Sequence, residues 1–387
     1  MNADSLRLLA ATAHPIPADR IVPRASLRKE AVKVTRIAGR DLTDEQILAW
    51  STIQGSNGQL DSPFFSPHFT RAVAAVRADV EVAILEKGQE MVGFFPYQRT
   101  RLRIGNPVGG YLNDFQGLIS RSELDLDLNR LLRDCGLLTW RFDHLIAAQS
   151  QFQGCQWSRR RSLHINVADR FGKSRATQGF KSRRIRETLR KTRKFEREHG
   201  AIRFVPRETD PRAFQALLRW KSHQYRRTRA MDIFSLRWPI ELLERLNQEP
   251  CVELRGQLSA LYVGDRLAAV HQGLRSNQVL HSWFPAYDPS LAALSPGMML
   301  FVKLAREAES LGLKRIDLGA GESVFKQSLA SAATTVASGA VTRFAIHRGA
   351  QRGWNQAKSW LRTSPLRTPW QAVADRTRPL RDWFAMR

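Results

Sequence analysis

Apolar and polar positions along the first third of the chain switch repeatedly between a period of two and a period of 3.6. The run "VKVTRIAG" (32–39) alternates as a strand, and Thr43-Asp44-Glu45-Gln46 has the capping-box spacing of a helix start. "SPHFTRAVAAV" (66–76) opens a second helix. "DVEVAILEKGQEMVGFFPYQ" (79–98) predicts a hairpin, two alternating apolar runs around the turn Lys87-Gly88-Gln89. "LDLDLNRLLRDC" (124–135) and "LLTWRFDHL" (137–145) add a helix and a strand, so 32 to about 167 predicts one α/β unit.

The same succession returns after residue 200. "AIRFVP" (201–206) predicts a strand, and "DPRAFQALLRWKSHQYRR" (210–227) a helix with Asp210 as N-cap and Pro211 in its first turn. "IELLERLNQE" (240–249) is a further helix. Residues 251–288 then alternate as three or four strands turning at Gly264-Asp265 and Ser276-Asn277. A helix from Pro296 to Leu311, the strand "KRIDLG" (314–319) and a last strand near "AVTRFAIHR" (340–348) complete the half. Two similar halves predict tandem copies of one α/β fold, on the order of elements rather than on any exact repeat.

Length agrees with this division, because 387 residues exceed one ordinary core and suit two domains. The expected boundaries are a flexible leader over 1–30, domains over 31–174 and 175–349, and a basic, Trp-rich tail over 350–387. The leader carries Asp4 and only a short apolar patch, unlike a secretory signal, and no stretch reaches the ~18 apolar residues of a membrane span. Cys135, Cys155 and Cys251 are too few and too scattered for a disulfide framework or a zinc site, so reduced thiols in a cytosolic protein are expected.

Charge changes the picture. Lys and Arg number 61 against 36 Asp and Glu, a formal +25, which calls for an anionic partner: nucleic acid, an acidic membrane surface, an anionic glycan or a phosphorylated cofactor. Ten of the Lys and Arg residues fall in "RATQGFKSRRIRETLRKTRKFEREHG" (175–200), a helix over 176–199 closed by Gly200. Ile185, Leu189 and Thr192 keep one stripe for packing, and residues such as Arg184 are left for a polyanionic substrate or for solvent. The four tail tryptophans, among arginines, suit a membrane interface or burial on the protein itself.

The densest chemistry is at "LSPGMMLFVKL" (294–304). Ser295-Pro296-Gly297 stands where a loop meets a helix, and a helix start offers unpaired N–H groups and a positive dipole end to a phosphate. A plain helix cap would use the same residues. No HExxH, GxSxG, Walker loop or CxxC pair is present, so zinc-protease, serine-hydrolase, nucleotidase and dithiol readings lack support.

Several marks occur together in order: His271 with Gly273, Tyr287-Asp288, Ser295-Pro296-Gly297, Asp317-Leu318-Gly319, Gly321 and Phe325-Lys326, with "YLNDFQGLI" (111–119) further upstream. In these the chain resembles the acetyltransferase-like proteins of the CelD type, a GNAT-superfamily group tied by name to cellulose and exopolysaccharide synthesis and similar to the Fem-type transferases. The likeness covers 176–329 well and the first half loosely. It implies two tandem GNAT-like domains, each a mixed central sheet flanked by helices. It also implies acyl-coenzyme A as donor, its pyrophosphate on the N–H groups of Gly297, Met298, Met299 and Leu300 with Ser295 nearby. The corner has fewer glycines than the usual GNAT loop, and Fem-type relatives take aminoacyl-tRNA, so that donor is the alternative.

Acyl transfer needs a base, a holder for the carbonyl oxygen and an acid for the leaving group. His271 and Asp288 are candidate bases, Tyr287 a candidate acid and Lys326 the candidate oxyanion or phosphate holder. Asp114, Arg184 and Asp317 are candidates for substrate contacts. Each has a structural alternative: a core histidine for His271, a turn cap for Asp288, a backbone partner for Asp317. No metal is expected. The expected acceptor is a small molecule or glycan, with peripheral contact to an anionic inner membrane as a further expectation; a non-catalytic binder of membrane or glycan is the rival from another class.

Overall fold

The computed structural model describes residues 31–121, 124–171, 183–248 and 253–343. The leader, Cys251, residues 176–182 of the basic helix and the Trp-rich tail lie outside the described residues.

The first half runs β1 (Lys33–Ala38), α1 (Asp44–Ser56), α2 (Pro67–Val76), β2 (Val80–Lys87), β3 (Glu90–Arg99), β4 (Ile104–Asn106), β5 (Ile119–Ser120), α3 (Leu128–Asp134) and β6 (Thr139–Ile146). β7 (Gln156–Asn166) and α4 (Val167–Phe171) close it, and the second half runs α5 (Arg183–His199), β8 (Ile202–Val205), α6 (Pro211–Arg227), α7 (Arg237–Gln248), β9 (Arg255–Val263), β10 (Arg266–Arg275) and β11 (Val279–Tyr287). It ends with α8 (Pro296–Glu307), β12 (Arg315–Ala320), α9 (Val324–Leu329) and β13 (Ala332–Thr342). The fold is mixed α/β, a large mixed sheet flanked by helices.

Local chemistry explains the element ends. Thr43 accepts the Gln46 N–H at 3.3 Å while the Gln46 side chain accepts the Thr43 N–H at 3.0 Å, a complete capping box on α1. Asp210 accepts the Arg212 N–H at 2.8 Å at the head of α6, with Pro211 first in the helix. Gly88, at φ 62°, turns the β2–β3 hairpin.

The described strands form one sheet in the order β1-β2-β3-β4-β6-β13-β7-β12-β11-β10-β9-β8, with β5 beside β3. Among the described strands, β4–β6 and β11–β12 are the pairs that run parallel. The last strand, β13, lies between β6 and β7 and pairs antiparallel with both. It begins at Ala332, eight residues earlier than its pattern suggests, because "AATTVASGA" is small and polar enough to hide the alternation. β7 is likewise silent in sequence: Arg159, Arg160 and Arg161 sit in the middle of a central strand.

Alternation along the strands sends side chains to two faces. In β9 and β10, Ala260 and Val270 join a core with Trp50, Phe69, Leu217 and Leu243, contributed by α1, α2, α6 and α7. Leu261 and Ala269 join the opposite core with Ile185 of α5 and Phe301 and Leu304 of α8. In the first half that opposite face is covered by α3 through Leu131 and Leu132. The first of these cores draws residues from both halves, so no solvent boundary divides them on that face. Each fully buried large side chain contributes roughly 1.5–3 kcal/mol.

Candidate active site

The parallel strands β11 and β12 are paired only from Val279–Arg315 to His281–Asp317. β11 continues to Tyr287 and β12 to Ala320, but no ladder joins them there. The sheet therefore opens beside its middle, and the chain's unusual polar groups gather where it opens.

From the first half comes the turn Gly109–Phe115. Gly109 and Gly110 hold positive φ of 82° and 52°, and Asn113 accepts the Phe115 N–H at 2.9 Å, which aims the residue between them. Trp283 of β11 donates its indole N–H to Leu112 O at 2.8 Å, and His281 Nε2 meets Asp114 Oδ2 at 2.9 Å. His144 of β6 stands 3.8 Å from the other Asp114 oxygen and 3.0 Å from Asp143. Burial raises the Asp114 pKa, but the hydrogen bond to His281 and the charges of His281, His144 and Lys326 outweigh it and bring it down to about 2.

From the second half, Lys326 at the start of α9 donates to Ala320 O at 2.8 Å. Gly319, at φ 77°, has to be glycine: a Cβ there would lie 2.9 Å from Asp114 Oδ2 and 3.4 Å from Lys326 Nζ. Lys221 of α6 is buried and donates to Gln224 Oε1 at 3.2 Å and to Pro285 O at 3.3 Å, on the unpaired part of β11. Burial, with repulsion from Lys326, brings its pKa down to about 8. His271 of β10 is fully buried against Phe301, and neither ring nitrogen has a hydrogen-bond partner. Burial, then the neighbouring His281 and Lys221, brings its pKa down to about 3, so its imidazole is neutral at physiological pH.

The corner stands at the other end of the unpaired stretch of β11. Ser295 is in the left-handed region at φ 55° and makes no capping hydrogen bond, a strained conformation for a residue with a side chain. Its carbonyl accepts the N–H groups of Met298 and Met299 at 3.0 and 3.2 Å. Gly297 is uncrowded: a Cβ there would meet only the Tyr287 ring, at 3.6 Å. Across a cleft of about 470 Å³, Arg183, Glu187, Thr188 and Lys191 of α5 face Ser295 and Val324. Ser295 at the helix start, Arg183, and Lys191 paired with Glu187 at 3.5 Å line this cleft, and the bare Gly297 lies two residues beyond Ser295, a setting that suits a phosphate group.

Comparison with known proteins gives the domain its class. Residues 182–327 match the family described as "Acetyltransferase (GNAT) domain". That stretch is a GNAT-type acetyltransferase domain. No curated protein matches the chain. Among solved structures it is similar to the C-terminal domain of a putative lysylphosphatidylglycerol synthetase from Agrobacterium fabrum, at 11% identity over 82% of this chain and 96% of that one, TM-score 0.48. It is also similar to a tandem GNAT protein from the clavulanic acid biosynthesis pathway (8% identity, 81% and 99% covered, TM-score 0.45) and to FemX (8%, 70% and 89%, TM-score 0.48).

Within the GNAT domain and its neighbour half, the residues singled out from sequence divide by placement. Asp114, Lys326 and His271 come together at the opening of the sheet. Tyr287, Ser295 and Gly297 meet at the corner. The side chains of Met298, Met299 and Leu300 point into the core, and the N–H groups of Met298 and Met299, expected to meet a pyrophosphate, already donate to Ser295 O, which leaves Gly297 as the residue of this start that can face a ligand. Asp288 caps the Pro289–Leu294 turn, accepting from Ser290 N at 2.9 Å and from Arg266 at 2.6 Å. Asp317 is buried and held by Arg315 at 2.8 Å, and Arg315 reaches on to Asp61 of the first half. The Arg184 side chain lies outside the described ones.

His281, His144 and Lys221 escaped the sequence reading. Lys221 had a readable mark: it stands four residues after Leu217, on the stripe that α6 buries, where a lysine needs a reason. His281 and His144 had none, since their shared partner Asp114 is 167 and 30 residues away in sequence.

Proposed function

We propose that the chain is an acyltransferase that moves an acyl group from a coenzyme A thioester to an amine or hydroxyl of a sugar-like envelope or exopolysaccharide precursor of the CelD kind, working in the cytosol or at the inner face of a membrane. The observation that carries this is the parting of β11 and β12 beyond His281, with a phosphate-fitting corner at one end and the Asp114–His281–Lys326 cluster at the other.

The donor supplies the thioester carbonyl. Gly297 N–H and the cations of α5 hold its phosphates. Asp114 fixes the His281 ring through Nε2, leaving Nδ1, which has no protein partner, to take the acceptor's proton. Lys326 stabilises the carbonyl oxygen as it gains charge. The new C–N or C–O bond forms as the C–S bond breaks, and Tyr287, beside Gly297, protonates the departing thiolate. His271, neutral and buried, adds no charge of its own beside Lys221 and His281.

The test is thiol release from acetyl-coenzyme A by purified protein offered amino sugars and polysaccharide fragments. Acceptor-dependent release that falls by about 10²–10⁴ in Asp114→Asn is expected. Release unaffected by Asp114→Asn contradicts the assignment.

A second reading, transfer from aminoacyl-tRNA, is favoured by α5, which exposes Arg183, Arg186, Arg190, Arg193 and Arg197 on a chain of net charge +25. Transfer from charged tRNA, with no turnover of acetyl-coenzyme A, would select it.

A further inference from the structure

A second opening in the sheet lies on the far side of Gly319. β7 pairs with β12 only as far as Ser162, opposite Ala320, and the three residues before it, Arg159, Arg160 and Arg161, have β13 on one side and no β12 on the other. There they line a cleft of about 440 Å³ with Gly321, Glu322 and Thr335. All three arginines are exposed.

Each guanidinium is anchored by one described contact that leaves most of its donors unused. Arg159 Nε donates to Gln156 Oε1 at 2.9 Å, Arg160 to Asp143 O at 2.9 Å, and Arg161 to Glu322 Oε1 at 3.3 Å. Arg159 and Arg161 share one face of β7 with the single carboxylate of Glu322, while Arg160 alternates to the other face towards Asp143 and His144, so the Arg159–Arg161 face carries a surplus of positive charge that an anion would offset.

The cleft is tied to the reacting cluster along two short routes. Gly321 N–H donates to Arg161 O, and the neighbouring Ala320 O receives Lys326. Asp143, whose carbonyl holds Arg160, binds with its carboxylate the His144 that stands beside Asp114. Along both routes one or two residues separate the cleft lining from a direct neighbour of Asp114.

We propose that this cleft is an acceptor-side subsite for a phosphate ester, so that the acceptor is a phosphorylated sugar or the phosphorylated headgroup of a lipid-linked one. The inference rests on the acyl-transfer reading for its role and on the arginines for its chemistry. Guanidinium forks match phosphate oxygens in pairs, which a lysine point charge does not reproduce.

Titration of the full-length protein with glucose 1-phosphate and with glucose tests it, beside the variants Arg159→Gln/Arg161→Gln and Arg159→Lys/Arg161→Lys, with coenzyme A titrated into all three. The parent should prefer the phosphorylated sugar by tenfold or more. The Gln pair should lose about ten- to a hundredfold of that affinity, the Lys pair part of it, and coenzyme A should bind all three alike. A parallel arm with phosphatidylcholine vesicles carrying phosphatidic acid assigns the phosphate to a lipid if vesicles bind through the same arginines and the free sugar phosphate does not. Equal affinity for glucose and glucose 1-phosphate together with no arginine-dependent vesicle binding overturns the proposal, as does loss of coenzyme A binding in the Gln pair, which would make the cleft part of the donor site. Arginine-dependent sugar-phosphate binding by a protein that ignores coenzyme A would leave the subsite standing and remove the donor reading instead.

Discussion

The carboxylate of Asp114 faces His281, His144 and Lys326 at once, and that crowd of basic groups fixes how the site responds to pH. Its pKa falls from 3.8 to about 2 on folding, so the unfolded chain binds the extra proton first. The group therefore stabilises the fold above about pH 4, and that contribution fades as pH drops towards 2. Melting curves of Asp114→Asn and the parent should differ above pH 4 and converge below it. His271 acts on another window: brought down from 6.5 to about 3, it must take up a proton on unfolding, so acid between pH 6.5 and 3 weakens the fold. His271→Leu should flatten that limb of the melting-temperature profile, and an unchanged limb would remove His271 as its cause. Lys221, brought down from 10.5 to about 8, gives stability that rises between pH 8 and 10.5, and Lys221→Met should abolish the rise.

At the scale of elements, the turns matter more than the helices. Gly319 combines a positive φ with a Cβ position already crowded by Asp114 and Lys326. Gly319→Ala should cost roughly 1–3 kcal/mol in denaturant unfolding and a larger share of activity, since strain and displacement act on the same carboxylate. Thr43→Ala, which removes one half of the capping box far from the site, should cost about 1 kcal/mol with activity intact. Caps, the Gly88 hairpin and the amphipathic helices were legible because their signals are local. β7 and β13 were not: an arginine triplet and a run of Ala, Ser, Thr and Gly carry no alternation, and both strands owe their place to partners on either side.

Across the whole molecule, strand exchange joins the halves: β13 of the second bonds to β6 and β7 of the first, β7 bonds in turn to β12 of the second, and one core on the α1–α2 face serves both. The order of elements predicts two similar halves, but the strand pairing between them is long-range and no local pattern encodes it. A fragment ending near residue 174 would leave β7 and β6 without β13, and it should fail to show a cooperative unfolding transition of its own. The site has the same character, since Asp114 and His281 are adjacent only in the folded chain. The central claim is that the Ser295-Pro296-Gly297 corner holds the phosphates of an acyl donor. Calorimetric titration of nucleic-acid-free protein with acetyl-coenzyme A, beside Gly297→Trp, tests it directly, because a Cβ at Gly297 meets only the Tyr287 ring, at an ordinary contact of 3.6 Å. Binding by the parent and none by the variant is the predicted result; equal binding by both, or by neither, contradicts it.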